Sequence, residues 1–145
     1  MNIGYKKLRG GYIAKLEIFG KTNENRQDIA DPLYAKYRTS NVKVLKIFHM
    51  NSEVNDETRV IDKMRGLYDK NFSYIVGEEM HVFGYDENIN EVCSQGIHYF
   101  KTPYQAKMWN LSLDNYTGKY IEWYDDGTLR REGEYKDGNL VKWEW

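Results

Sequence analysis

The sequence predicts an α+β fold: a mostly antiparallel sheet with two short helices and a C-terminal β meander. Three observations point there. Aromatic residues make up 15% of the 145-residue chain, and tyrosine alone occurs 13 times, which suits the half-buried face of a pleated sheet. Short apolar runs alternate with period two between glycines and polar turns, as strands do. Two further segments carry apolar residues at helical spacing behind capping residues. At this length one compact domain is expected, with an α+β body over 1–114 and a meander over 115–145 packed on it.

YIAKLEIF (12–19) reads as a strand with Ala14, Leu16 and Ile18 on one face. Residues 20–37 are polar and contain Pro32, so they read as a connection. VKVLKIF (42–48) is apolar on both faces apart from two lysines, the pattern of a central strand. NDETRVIDKMRGLYD (55–69) fits a short helix capped by Asn55 or Asp56, with Val60, Met64 and Leu67 or Tyr68 inward. Gly66 weakens that helix. FSYIV (72–76) and EMHVFGY (79–85), separated around Gly77, read as two tightly joined strands. DENIN (86–90) is a loop and IHYF (97–100) a short strand. Thr102-Pro103-Tyr104-Gln105 places a capping hydroxyl, a proline at the first helical position and a glutamine three residues after the cap. It opens a helix from 103 to about 112, with Ala106, Trp109 and Leu113 inward.

Asp126-Gly127 and Asp137-Gly138 are hairpin signals, because glycine supplies the positive φ of a type I′ turn or a bulged loop. They separate YIEWY, LRREGEY and LVKWEW, so the tail reads as three strands and two turns. Gly118-Lys119-Tyr120, Glu122-Trp123-Tyr124-Asp125-Asp126-Gly127-Thr128-Leu129 and Gly133-Glu134-Tyr135-Lys136-Asp137-Gly138-Asn139-Leu140 resemble the MORN-type repeat, including its YwqK-like variant. Val141-Lys142 departs from the family, which has a glycine before the next aromatic. One unit and a fragment are present, fewer than the three or so that let repeats stand alone, so the tail must lean on the body. The resemblance implies a structural or interaction role, with Trp123, Tyr124, Trp143 and Trp145 as partner-binding residues.

The order of Lys36-Tyr37-Arg38-Thr39-Ser40-Asn41-Val42-Lys43-Val44-Leu45, Phe72-Ser73-Tyr74-Ile75-Val76-Gly77-Glu78 and Cys93-Ser94-Gln95-Gly96-Ile97-His98-Tyr99-Phe100 resembles an uncharacterised domain of giant DNA viruses, found alone or beside pentapeptide or MORN-like repeats. That likeness covers roughly residues 12–112 and implies no activity. Gly96-Ile97-His98-Tyr99-Phe100, with Ala106 after it, is also similar to a strand and helix of ADP-ribosyltransferase folds. This second likeness implies NAD as cofactor, Arg38 as a gripping residue and His98 or Tyr99 as a ring-stacking one. No glutamate stands at a matching position. Convergence of Arg38, Tyr74 and His98 in one cleft would favour this ligand-binding alternative, and their dispersal the interaction reading.

Other chemistry finds little support. His81, Cys93 and His98 match no zinc spacing. Cys93 as a nucleophile would need a lowered pKa and a placed base, for which His98 is the candidate; a small buried thiol at a strand entrance is the simpler reading. Asp125, Asp126, Glu132 and Glu134 lie in turns and beside Arg130 and Arg131, as solvated cross-strand charge pairs do. No phosphate-binding glycine motif is present, and Gly10-Gly11 precedes a strand. Lys6, Lys7 and Arg9, near Tyr5 and Tyr12, read as a small solvated basic arm. A net charge of −1 argues against a nucleic-acid partner. The single Cys93 excludes an internal disulfide and points to a reducing compartment. The N-terminus has no secretory apolar run, and no stretch reaches the roughly 18–20 apolar residues of a membrane span. The expectation is a non-enzymatic viral interaction or structural protein that binds a viral or host protein without a cofactor. It would act in the host cytoplasm or virion, not secreted, and is compatible with homo-oligomers.

Overall fold

A computed structural model describes residues 1–52, 57–69 and 71–143. In chain order its strands are β1 (Asn2–Lys7), β2 (Tyr12–Ile18), β3 (Tyr37–Thr39), β4 (Asn41–His49), β5 (Val60–Ile61), β6 (Lys63–Arg65), β7 (Ser73–Ile75), β8 (Glu79–His81), β9 (Ile97–Tyr99), β10 (Gly118–Trp123), β11 (Leu129–Lys136) and β12 (Asn139–Trp143). The one α-helix among the described residues is α1 (Pro103–Met108). The expected α+β class is therefore corrected: the fold is mostly β, in four antiparallel sheets, with a single short helix.

β4 is the spine of the largest sheet, in the order β1-β2-β4. Its far edge is shared by two short strands. β8 pairs with Asn41, Val42 and Lys43, and β5 with Ile47 and Phe48. Both faces of β4 are covered, Val42, Val44 and Ile47 by one cluster and Phe48 by another, which explains why VKVLKIF is apolar on two faces. One face packs Leu16, Val42, Val44 and Ile47 against Tyr37, Tyr74, Ile97 and Tyr99. Ile13 belongs to a second cluster with Phe100 and Ala106, where Tyr5, Phe48 and Trp109 close in.

The helix expected over 55–69 does not form in its described part; Asn55 and Asp56 lie outside the described residues. Glu57–Arg59 is a 3-10 turn, followed by β5 and by β6, which pairs with β7. Met64, Ile61 and Tyr74 reach the core from this layout. The open edge of β4 and the partner strand β7 offer backbone bonds that a short, glycine-containing helix cannot match. For the same reason β7 and β8 do not pair with each other: β7 takes β6 and β8 takes β4. The second expected helix is cut to six residues. Trp109 is already extended (φ −61, ψ 123), so Trp109 and Leu113 lie beyond it. Its start is as expected, with Thr102 Oγ1 accepting from the Gln105 amide at 3.1 Å. The Gln105 side chain does not complete the capping box; it donates to the Tyr34 carbonyl.

The N-terminal arm is also not free. Residues 2–7 pair with 13–18 along the whole of β1, and Tyr5 and Phe100 exchange backbone bonds at 2.7 and 2.8 Å. Gly4 permits this, because a Cβ there would collide with the Tyr99 ring.

The tail forms the meander β10-β11-β12. Asp137 (φ 50) and Gly138 (φ 85) make the two-residue turn of type I′ character. The other turn is an anchor as well as a hairpin loop. The Asp126 carbonyl accepts from the Ala30 and Asp31 amides, at 3.0 and 2.9 Å. The Asp125 carbonyl accepts from the Lys36 amide at 3.1 Å and from Arg26 Nη2 at 2.8 Å. Gly127 (φ 93) lies against the 31–35 backbone, where a Cβ would meet the Asp31 carbonyl and stand 2.9 Å from the Ala35 nitrogen.

Candidate functional site: an aromatic groove with a cationic centre

Arg38 is fully buried on β3. Its Nε donates to the Glu91 carbonyl at 2.7 Å, and Nη2 to that of Asn88 at 2.6 Å. Nη1 donates to Asp86 at 2.5 Å and Gln95 at 3.2 Å. The guanidinium lies 4.8 Å from the Tyr85 ring centre. Arg38 thus folds the 86–95 loop around itself; its donors face loop carbonyls rather than open space.

Of the other residues expected to bind a ligand, Tyr74 and Tyr99 are buried in the core. Burial pushes both phenols well above the usual tyrosine range. The Tyr99 hydroxyl donates to the Glu24 carboxylate. His98 sits opposite Arg38 in the β3–β9 register but is half-buried and turned to a groove, with Nε2 3.2 Å from the Val92 carbonyl. Tyr74 and His98 line that groove; the Arg38 guanidinium is sequestered in the neighbouring loop. Among the described residues no group of three or more His, Cys, Asp or Glu is placed to hold a metal ion. Cys93 is exposed, not buried, with its sulfur 3.9 Å from Lys36 Nζ. Glu122 pairs with Arg130 and Arg131, at 3.7 and 3.4 Å, and Glu132 with Lys119.

The partner-binding aromatics of the tail divide by exposure. Trp123 is half-buried and stacks on Tyr34, with centroids 5.2 Å apart and planes at 6°. Trp143 is half-buried against Tyr135, under Arg131. Tyr124 is exposed, with Arg130 5.9 Å from its ring centre. Trp145 lies outside the described residues.

Trp123 and Tyr124 belong to a longer feature. A cavity of about 390 Å³ between body and tail is lined by Trp109, Phe100 and Lys36 on one side and by residues 120–125 and Arg130 on the other. A second, of about 410 Å³, is lined by Phe72, Tyr74, Phe83 and His98. A recess of about 50 Å³ shares walls with both, and Tyr68 borders all three. Tyr68 is 72% exposed, and its hydroxyl accepts from Trp109 Nε1 at 3.1 Å, which orients the ring.

Among the described residues the recess is lined by Lys6, Lys7, Lys36 and His98 with Leu67, Tyr68, Phe100 and Trp109, and by no carboxylate. Lys6 Nζ donates to the His98 carbonyl at 3.1 Å. Lys7 Nζ donates to the carbonyls of Lys107 and Trp109, at 2.9 and 2.8 Å. Lys36 Nζ stands 4.1 Å from the centre of the Trp109 ring. Burial, reinforced by the Lys36 charge, lowers the Lys6 ammonium to about 8. Burial and Lys107 lower Lys7 likewise to about 8. Burial first, then the charges of Lys6 and Lys36, lowers His98 to about 4, so its ring is neutral at pH 7. Lys36 and Tyr68 were not legible as site residues. What assembles the recess is the Tyr5–Phe100 bridge, which lays β1 beside the end of β9.

These features define a mostly-β protein with a lysine-centred groove walled by aromatic rings. The chain belongs to DUF5758, a family of unknown function, whose profile matches residues 1–106. The match includes Lys6, Lys7, Lys36, Tyr68 and His98 and stops before Trp109 and the tail. No curated protein and no solved structure matches the chain. No described helix is long and apolar enough to cross a membrane.

Proposed function

We propose that this chain is a non-enzymatic interaction protein of giant-virus type, acting in the host cytoplasm or virion. It holds a protein partner in the groove between body and tail. The observation that carries this is the groove itself. Trp109, Trp123, Tyr124 and Tyr68 meet around one concavity with Lys36 and Arg130, and Trp, Tyr and Arg are the residues that dominate binding hot spots. The tail, read as a MORN-like fragment, supplies one wall. The commitment of Arg38 to four loop carbonyls weighs against the ADP-ribosyltransferase-like alternative, which needs a free guanidinium.

The test is affinity capture of crosslinked partners by the native chain, Trp109→Ala, Tyr124→Ala and, as a surface control on β12, Val141→Ser. Variants are compared only at matched melting temperature. A protein captured by the native chain and the control but lost with both groove variants is the expected result. Capture that ignores the groove variants overturns the assignment.

A further inference from the structure

We propose that the recess between Lys6, Lys36 and His98 is a binding site for a phosphate monoester, with the exposed Tyr68 ring as the platform for a planar group carried by it, as in a nucleoside monophosphate. The proposal does not rest on the protein-partner reading, because its ligand is a small molecule.

The first argument is charge. The chain has 22 acidic and 21 basic residues, so a basic site has acids in plenty to pair with. Other cations do so: Lys21 with Glu87, Arg26 with Asp28, Lys101 with Glu24, Lys119 with Glu132, and Arg130 and Arg131 with Glu122. Among the described residues the ammonium groups of Lys6, Lys7 and Lys36 instead meet carbonyl oxygens, a thiol and a π face. Gathering like charges at a half-buried place without a counter-ion is costly. Burial first, and like charge second, depresses Lys6, Lys7 and His98, the like charge being Lys36 for Lys6, Lys107 for Lys7, and Lys6 and Lys36 for His98. An anion would relieve that cost. A phosphate monoester, with a charge near −2, matches it better than a carboxylate.

The second argument is size and surroundings. A recess of about 50 Å³ has room for one small anionic group and no more. The chambers on either side, about 390 and 410 Å³, have room for what that group is attached to. Tyr68 stands where all three meet, with its hydroxyl pinned by Trp109 and most of its surface open. A pinned, exposed ring beside an anion site is how proteins stack a base next to its phosphate.

The test is an NMR titration of the His98 ring in the full chain, with AMP, ribose 5-phosphate and inorganic phosphate as probes. A bound dianion opposes the Lys6 and Lys36 charges, so all three probes should raise the His98 pKa. AMP should bind about tenfold more tightly than ribose 5-phosphate, and Tyr68→Ala should abolish that difference. Lys6→Met and the more accessible Lys36→Met should each weaken AMP by about tenfold or more; the second serves if the first fails to fold. A His98 pKa that no probe moves, or AMP affinity that both lysine variants keep, overturns the anion site. Equal affinity for AMP and ribose 5-phosphate overturns the assignment of Tyr68.

Discussion

Replacing Arg38 by methionine keeps the unbranched stem as far as the Nε position and removes the rest of the guanidinium, with its charge and five donors. In the native protein these donors meet four carbonyls of the 86–95 loop at 2.5–3.2 Å. Bonds from a charged donor contribute roughly 1.5–3 kcal/mol each. Against that sum stands the cost of holding a guanidinium out of water, itself several kcal/mol per ion. Methionine regains some apolar burial beside Tyr85. The balance is a loss of about 3–5 kcal/mol, because the loop carbonyls are left without their donor, and a large share of a small domain's stability of roughly 5–15 kcal/mol. Urea unfolding followed by tryptophan fluorescence should show the midpoint falling by roughly 2 M at a slope near 2 kcal/mol/M. Hydrogen exchange should show the 86–95 amides losing protection first. Arg38→Lys should recover less than half, since one ammonium cannot span carbonyls set for a planar fork. An unchanged midpoint together with unchanged exchange in 86–95 would refute the view of Arg38 as the fastener of this loop and return it to the pool of ligand-binding residues.

Other predictions follow from single contacts. Gly127→Ala combines a left-handed φ of 93° with a collision at the Asp31 carbonyl; it should cost about 2 kcal/mol or more, and a melting temperature within about 2 °C of native would show that this turn does not anchor the tail. Deleting 116–145 should uncover the Trp109 side of the groove and make the remainder aggregate, whereas a monodisperse body with the native melting temperature would count against one cooperative unit. Thr102→Ala should cost about 1 kcal/mol in denaturant titration, since its hydroxyl is the only side-chain cap on α1; no measurable change would contradict that role. His98 is held at about 4 against an ordinary 6.5, so the folded state binds fewer protons than the unfolded one between those values. Its contribution to stability is complete above pH 6.5 and is lost as pH falls toward 4. Glu24 loses stability in the same direction below 4.5, because its hydrogen bonds from Lys101, Tyr99 and Asn2 outweigh its burial. The measurement is therefore the difference between native and His98→Gln, whose profile should be flatter over pH 6.5 to 4; parallel profiles would refute it.

Local chemistry was legible wherever a few neighbouring residues decide the outcome. The cap of α1 depends on Thr102, Pro103 and the next amides. The turn at Asp137-Gly138 depends on two residues able to hold positive φ. β2 depends on apolar alternation along its own length and β4 on a short apolar run. These features survive because no distant partner offers anything better.

Where a distant partner does, the sequence misleads. Val60, Met64 and Leu67 are spaced for a helix, yet the free edge of β4 and the partner strand β7 take this stretch as β5 and β6. Lys6 and Lys7 look like a solvated arm until the register of β1 with β2 carries them to the end of β9. Arg38 was visible as a special arginine, but only the path of 86–95 determines whether it grips a ligand or its own chain. By itself the sequence determined strand-rich composition, the capped helix start and the turns of the tail, because propensity and turn geometry act over a few residues. The tertiary structure alone decided the sheet order, the closing of the groove by the tail and the gathering of the lysine recess. Each depends on backbone pairing between segments many residues apart, and such pairing leaves no periodic trace in either partner.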